Sequence, residues 1–294
     1  MVWPEGQNRL ITIVSCGNGI GSIIILPLVT HIVTTYGWRY GYYFTAAVEG
    51  LFILPCFWFF ISTPKLSGEG RRGDFTAEEA SEKKNLKAVE GRSLRLKETL
   101  RLPEFYFMAI AMILISVAAN GLLANVQLFF TDVGFDEMTA AWILSLSTGL
   151  ATVGKIIDGI AIERFGIKKA TLFGGACYAI SMLCLCFVTS TDSYAYIGFI
   201  IGYALGGSLT TLFAPIMTSY MWGNAHYGEN YGAVNLMASI GTTVGPTFMA
   251  LIYDMTGTYM NAWITITISL VITTACYVTA MTLSERRNRR ERSI

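Results

Sequence analysis

Residues 152 to 169 read TVGKIIDGIAIERFGIKK, and they set Lys155 and Asp158 near the end of the apolar run AAWILSLSTGLATVGKIIDGIAI. A charge facing hydrocarbon at such a position costs about 3 kcal/mol, so each must meet protein or water instead. Thr148, Thr152, Lys155 and Gly159 are spaced i, i+4, i+7, i+11, which puts the lysine on a semi-polar helix face. A cation held in a low-dielectric interior attracts an anion such as a carboxylate far more strongly than it would in water. Asp158, three residues on, can pair with Lys155 or with Arg164, or can carry a proton. Glu49, in FTAAVEGLFILPCF, is a second acid inside an apolar run with no base on its own face. It must be protonated, paired across helices or facing water, which makes it a further candidate proton carrier.

Uncharged polar residues also fall in stripes. Asn235, Ser239, Thr242 and Pro246 share one helical face, as do Ser116 with Asn120 and Asn18 with Ser22. Such stripes are either hydrogen bonds between helices or the lining of a cavity, and spacing alone does not choose. The candidate substrate-binding set is therefore Lys155, Thr152, Thr148, Asn120, Asn235 and Ser239, with Glu49 and Asp158 as candidates for coupling. Gly17 with Gly21, Gly202 with Gly206 and Gly241 with Gly245 have the spacing that lets helices approach closely. All six cysteines lie in apolar runs, with no C-x-x-C and no histidine cluster to hold a metal. No H-E-x-x-H or G-x-S-x-G motif is present, and nothing calls for a cofactor, so the reading is not an enzyme.

The elements that must position these residues follow from composition. The 294 residues are 53% hydrophobic and only 14% charged, with a mean hydropathy of +0.50, against about 25% charged residues in a soluble domain. This is an all-α polytopic membrane protein. Eight segments are long and apolar enough to span a bilayer, near 10–33, 40–62, 105–130, 139–163, 168–190, 194–220, 229–253 and 260–283. Of 21 basic residues, ten lie between Lys65 and Arg101, three at Arg164, Lys168 and Lys169, and five in the tail ERRNRRERSI. The connections TDVGFDE, TSTDS and DMTGTYMN carry acids and no base. Both termini and the long loop are thus expected on the cytoplasmic side, in a plasma or bacterial inner membrane. Scattered basic clusters of this kind make no nucleic-acid surface. Aromatic residues bunch at span ends, as in SYAY and YMNAW, where they read as interface belts. The chain divides into two helices at 1–63, a polar loop at 64–103 that ends in the short helical stretch SLRLKETLRLP, six helices at 104–284, and a basic tail at 285–294.

The stretch GIAIERFGIKK resembles the loop signature of the major facilitator superfamily, G-x-x-x-[DE]-[RK]-x-G-x-[RK]-[RK], filled by Gly159, Glu163, Arg164, Gly166, Lys168 and Lys169. In that family the signature is a cytoplasmic gating turn between two spans, which agrees with the orientation above. NRLITIVSCGNGIGSIIILPLV, LKETLRLPEFYF and YGENYGAVNLMASIGTTVGPTF resemble the monocarboxylate and oxalate/formate branch. The resemblance implies the major facilitator fold, with 1–63 as part of its N-terminal half, lacking the first four helices, and 104–284 as its complete C-terminal half. It also puts Lys155 where the branch keeps a cation for the substrate carboxylate. The sequence departs from the monocarboxylate pattern four residues earlier, where an acid is replaced by Ala151.

The function expected is secondary active transport of a small organic anion, a monocarboxylate or dicarboxylate, by alternating access, with a coupling proton or an exchanged anion. The alternative is a non-transporting membrane protein serving as an assembly partner or binding module.

Overall fold

The computed structural model describes residues 24–53, 55, 58 and 93–292. They fall into two units, one within Met1–Pro27 and Ser93–Ile294 and one within Leu28–Arg92. The smaller unit holds most of helix α1, Ile24–Tyr36, and α2, Trp38–Val48, which runs on as a π-turn over Glu49–Ile53. Gly37, at φ 92°, separates the two helices in a conformation that disfavours any side chain. The first two expected spans lie partly outside the described residues, as do Asn18, Gly17 and Gly21.

In the larger unit a four-residue helix, α3 (Leu96–Thr99), precedes α4 (Pro103–Val133). Proline at the first helical position of α4 loses no hydrogen bond, and Gly134 closes the helix in the left-handed conformation. Asp136 then caps α5, Glu137–Phe165, accepting from the Thr139 amide at 2.9 Å and its hydroxyl at 2.6 Å. Gly166, at φ 83°, ends α5 and opens α6, Ile167–Cys186, with no intervening loop. The signature residues thus form the tight turn that the sequence led us to expect.

The sixth expected span, 194–220, is not one helix. It comprises α7 (Ala195–Gly206), a 3-10 turn (Gly207–Thr210) and α8 (Phe213–Trp222). Two glycines and a serine in succession remove the helix preference there. The break also lets Gly206 sit against the Tyr178 backbone, where a Cβ has no room. Helix α9, Tyr227–Thr256, contains Pro246, and α10, Tyr259–Arg292, continues well past the expected end at 283. Polar partners at that end, described below, hold the extra turns.

Packing in the larger unit pairs α9 with α4, α6 with α7 and α10, α10 with α4, and α5 with α7. Glycines make these contacts: Gly241 meets the Ile113 carbonyl, Gly245 the Val117 carbonyl, Gly202 the Cys177 carbonyl and Gly154 the Ala204 carbonyl. Burial is inverted relative to a water-soluble bundle. On α5, Leu146, Leu150, Val153, Ile156, Ile157 and Ile160 are exposed, while Thr152, Lys155 and Asp158 are buried. Apolar residues outside and polar residues inside is what a hydrocarbon solvent selects. Six helical segments are long and apolar enough to cross a membrane among the described residues.

Candidate functional site

Helix α5 carries the charged core of the site. Thr148 donates to the Leu144 carbonyl at 3.0 Å, satisfying its hydroxyl within its own helix. Thr152 is 9% exposed, Lys155 5% and Asp158 0%, so the face chosen by spacing points into protein. It does so because Gly154 lies directly against the carbonyl of Ala204, clamping α5 onto α7. Four residues on, the broken segment after α7 supplies Ser208, whose hydroxyl donates to Asp158 Oδ2. The other carboxylate oxygen, Oδ1, is buried and accepts no hydrogen bond. Neither the lysine nor the arginine considered from sequence is the hydrogen-bond partner of this acid: it is a serine at a helix interruption. Arg164 lies exposed at the far end of α5.

The uncharged stripes resolve in two ways. Asn120 donates to the Ser116 carbonyl at 3.0 Å and to Thr242 Oγ1 at 3.3 Å, so α4 and α9 are joined by a side-chain bond. Asn235 and Ser239, on the same α9 face, are exposed, with the Ser239 hydroxyl turned to the Asn235 carbonyl at 3.1 Å. Glu49 is exposed at the start of the π-turn, in the smaller unit. Among the signature residues, Glu163, Arg164 and Lys169 are exposed and Gly159 is half-buried. Lys168 reaches across to Glu285 on α10 at 2.7 Å, and Glu285 accepts from the Tyr220 hydroxyl of α8 at 2.9 Å.

Against this geometry the comparisons with known proteins are decisive for the family. The family model of the Major Facilitator Superfamily matches residues 1–221 and, in a second overlapping match, 108–293. The chain belongs to the Major Facilitator Superfamily. It is similar to monocarboxylate transporter 12-B of Danio rerio, 23% identical over 271 residues that cover 83% of this chain and 54% of the relative. It is also similar to monocarboxylate transporter 12 of Homo sapiens, at 22% over 284 residues, covering 87% and 52%. A probable transporter of Candida glabrata is 25% identical over 191 residues, or 58% of this chain and 38% of that one. A solved structure of the E. coli fucose:proton symporter aligns with a TM-score of 0.45 and 16% identity, covering 87% of this chain and 55% of that one. The chain spans about half the length of the curated relatives first named. The larger unit of this superfamily member holds, among the described residues, six helical segments long and apolar enough to span a membrane.

Several polar contacts of this superfamily member were not found from sequence. Arg287, on the extra turns of α10, pairs with Glu104 at the start of α4 and donates to the Met221 carbonyl at 2.8 Å. Asn230 on α9 is fully buried and donates to the Leu94 carbonyl at 2.9 Å, while the Leu94 amide donates to Trp222 O at 3.0 Å. The strap leading into α4 is thus bound to the α8–α9 turn. Glycine-glycine-serine at 206–208 was the only visible hint of the Ser208 contact.

Proposed function

We propose that the chain is part or all of a secondary active transporter for a small organic anion, with Lys155 as the cation that receives the substrate carboxylate. The observation that carries this reading is an ammonium group enclosed to 5% exposure on a threonine-bearing face of α5, in a helix whose opposite face is fully apolar. The low-dielectric surround strengthens attraction between that cation and a carboxylate, which is the interaction a substrate would use. The names of the curated relatives, monocarboxylate transporters, point to the same chemical class.

Asp158 is the stronger of the two coupling candidates. It is fully buried beside the interruption between α7 and α8, with one oxygen bound to Ser208 and one without a hydrogen bond. Protonation removes the cost of that bare oxygen and weakens the charge-assisted bond from Ser208, while deprotonation strengthens that bond, so proton loading acts on a helix break. Glu49 remains a coupling candidate in the smaller unit. Alternating access uses the turn at Gly166 and the Lys168–Glu285–Tyr220 contacts as the cytoplasmic closure, with both termini on that side. The test is uptake of radiolabelled lactate and oxalate into proteoliposomes containing the full chain. Saturable uptake that Lys155→Ala abolishes supports the reading, and its absence for every small carboxylate, with the protein folded, favours the non-transporting binding module.

A further inference from the structure

At the end of the larger unit remote from the basic turns lies a cavity of about 450 Å³, within the usual range for a small-molecule site. Its lining includes Phe129, Asp132, Tyr253, Tyr259 and Trp263. Tyr253 stacks on Tyr259 at 4.2 Å and Tyr259 on Trp263 at 6.0 Å, while Phe129 meets Tyr259 and Trp263 edge-on at 5.7 and 5.4 Å. Asp132 is exposed and accepts from the Tyr253 hydroxyl at 3.3 Å. Helices α4, α6 and α9 all end at this cavity, which Val133, Cys186 and Gly257 also line. Three helix C-termini each bring partial negative charge, against the single N-terminus of α10, which meets the cavity at Tyr259 and Met260. The connections at this end hold Asp132, Asp136, Asp192 and Asp254 and no lysine or arginine. Trp263 is fully buried, and its indole Nε1 has no hydrogen-bond partner.

A ring cluster, one carboxylate and converging carbonyl ends form an electronegative, partly apolar enclosure. That combination suits a soft organic cation better than a metal ion, because half-buried Tyr253, the outer ring of the stack, supplies quadrupole attraction beside Asp132 without demanding full dehydration of a hard charge. We propose that this cavity binds an organic ammonium group of choline type. Its source is either a lipid headgroup or a free amine, and both present the same chemistry.

The full chain is reconstituted in nanodiscs of phosphatidylglycerol, which lacks an ammonium of this type, and its thermal melting is followed with choline chloride against equal sodium chloride. A saturable rise in melting temperature is expected, and Asp132→Asn, at an exposed position where folding is not at stake, weakens the apparent affinity about tenfold. In phosphatidylcholine discs a lipid occupant gives the stabilisation without added choline, in the wild type and not in the variant. A soluble occupant leaves the choline response the same in both lipids. No choline response in phosphatidylglycerol together with no difference between the two lipids overturns the proposal, as does any response that Asp132→Asn leaves unchanged.

Discussion

Replacing Gly245 by alanine tests whether glycine contacts hold the polar stripes in place. A Cβ at 245 would lie 2.6 Å from the Val117 carbonyl oxygen and 3.1 Å from the Gly121 amide, both backbone atoms that no rotamer can move. Ordinary contact begins at 3.4 Å, so α4 and α9 must part by about 0.8 Å. Overpacking of this kind costs about 1–3 kcal/mol. The Asn120–Thr242 hydrogen bond is already 3.3 Å long and breaks on such a shift, adding about 0.6 kcal/mol. Alanine recovers about 1 kcal/mol of helix preference, leaving a net loss of roughly 0.6–2.6 kcal/mol. Gly232 lies on the same helix with nothing within 4 Å of a Cβ, so Gly232→Ala removes only the glycine penalty and stabilises by about 0.5–1 kcal/mol. Thermal melting of the two purified variants in one detergent decides the matter. Opposite signs are expected, and equal effects in either direction would refute the packing argument.

Arg287→Ala strands Glu104, whose side chain is 2% exposed, and should destabilise by about 3–5 kcal/mol; pairing it with Glu104→Gln should recover most of that loss in a double-mutant melting cycle. Lys168→Ala removes an ion pair with side chains about a third exposed, so its stability cost should stay below about 1 kcal/mol, while a cysteine placed at position 220 becomes more accessible to a thiol reagent. Ser208→Ala leaves both Asp158 oxygens without a hydroxyl partner, and the expectation is a changed pH dependence of uptake; an unchanged profile removes Asp158 from the coupling assignment. Thr139 holds the Asp136 carboxyl below its ordinary value of 3.8, first through its hydroxyl and then through its amide. That contribution is therefore present above pH 3.8 and is lost as pH falls through the lower folded value, a loss that Thr139→Ala, which keeps the amide and removes the hydroxyl, should reduce in melting measured between pH 5 and pH 3.

Helix existence was readable because hydrocarbon requires continuous apolar runs and each run ends in a glycine, an aspartate or a basic turn. Observed ends at Val133, Phe165 and Thr256 fall within three residues of those expected. The interruption at Gly207–Thr210 was missed because hydropathy stays high across it, although Gly206, Gly207 and Ser208 weaken the helix preference there and the packing of Gly206 on Tyr178 completes the reason. Burial of Lys155 and Asp158 followed from spacing, because period and apolar neighbours fix the face. Their partners did not, since Ser208 lies 50 residues away and Glu104 lies 183 from Arg287, distances that no local pattern encodes. Glu49 was left by its apolar flanks as protonated, paired or facing water, and it lies exposed at the start of the π-turn.

Direct binding to Lys155 is the most pointed test of the central assignment, because it does not depend on turnover. Calorimetric titration of the full chain in lipid nanodiscs with oxalate and with lactate is expected to show saturable binding of at least one. Lys155→Gln should abolish that binding and Lys155→Arg should restore it in part, with both variants melting near the wild type. Wild-type affinity in Lys155→Gln would contradict the account.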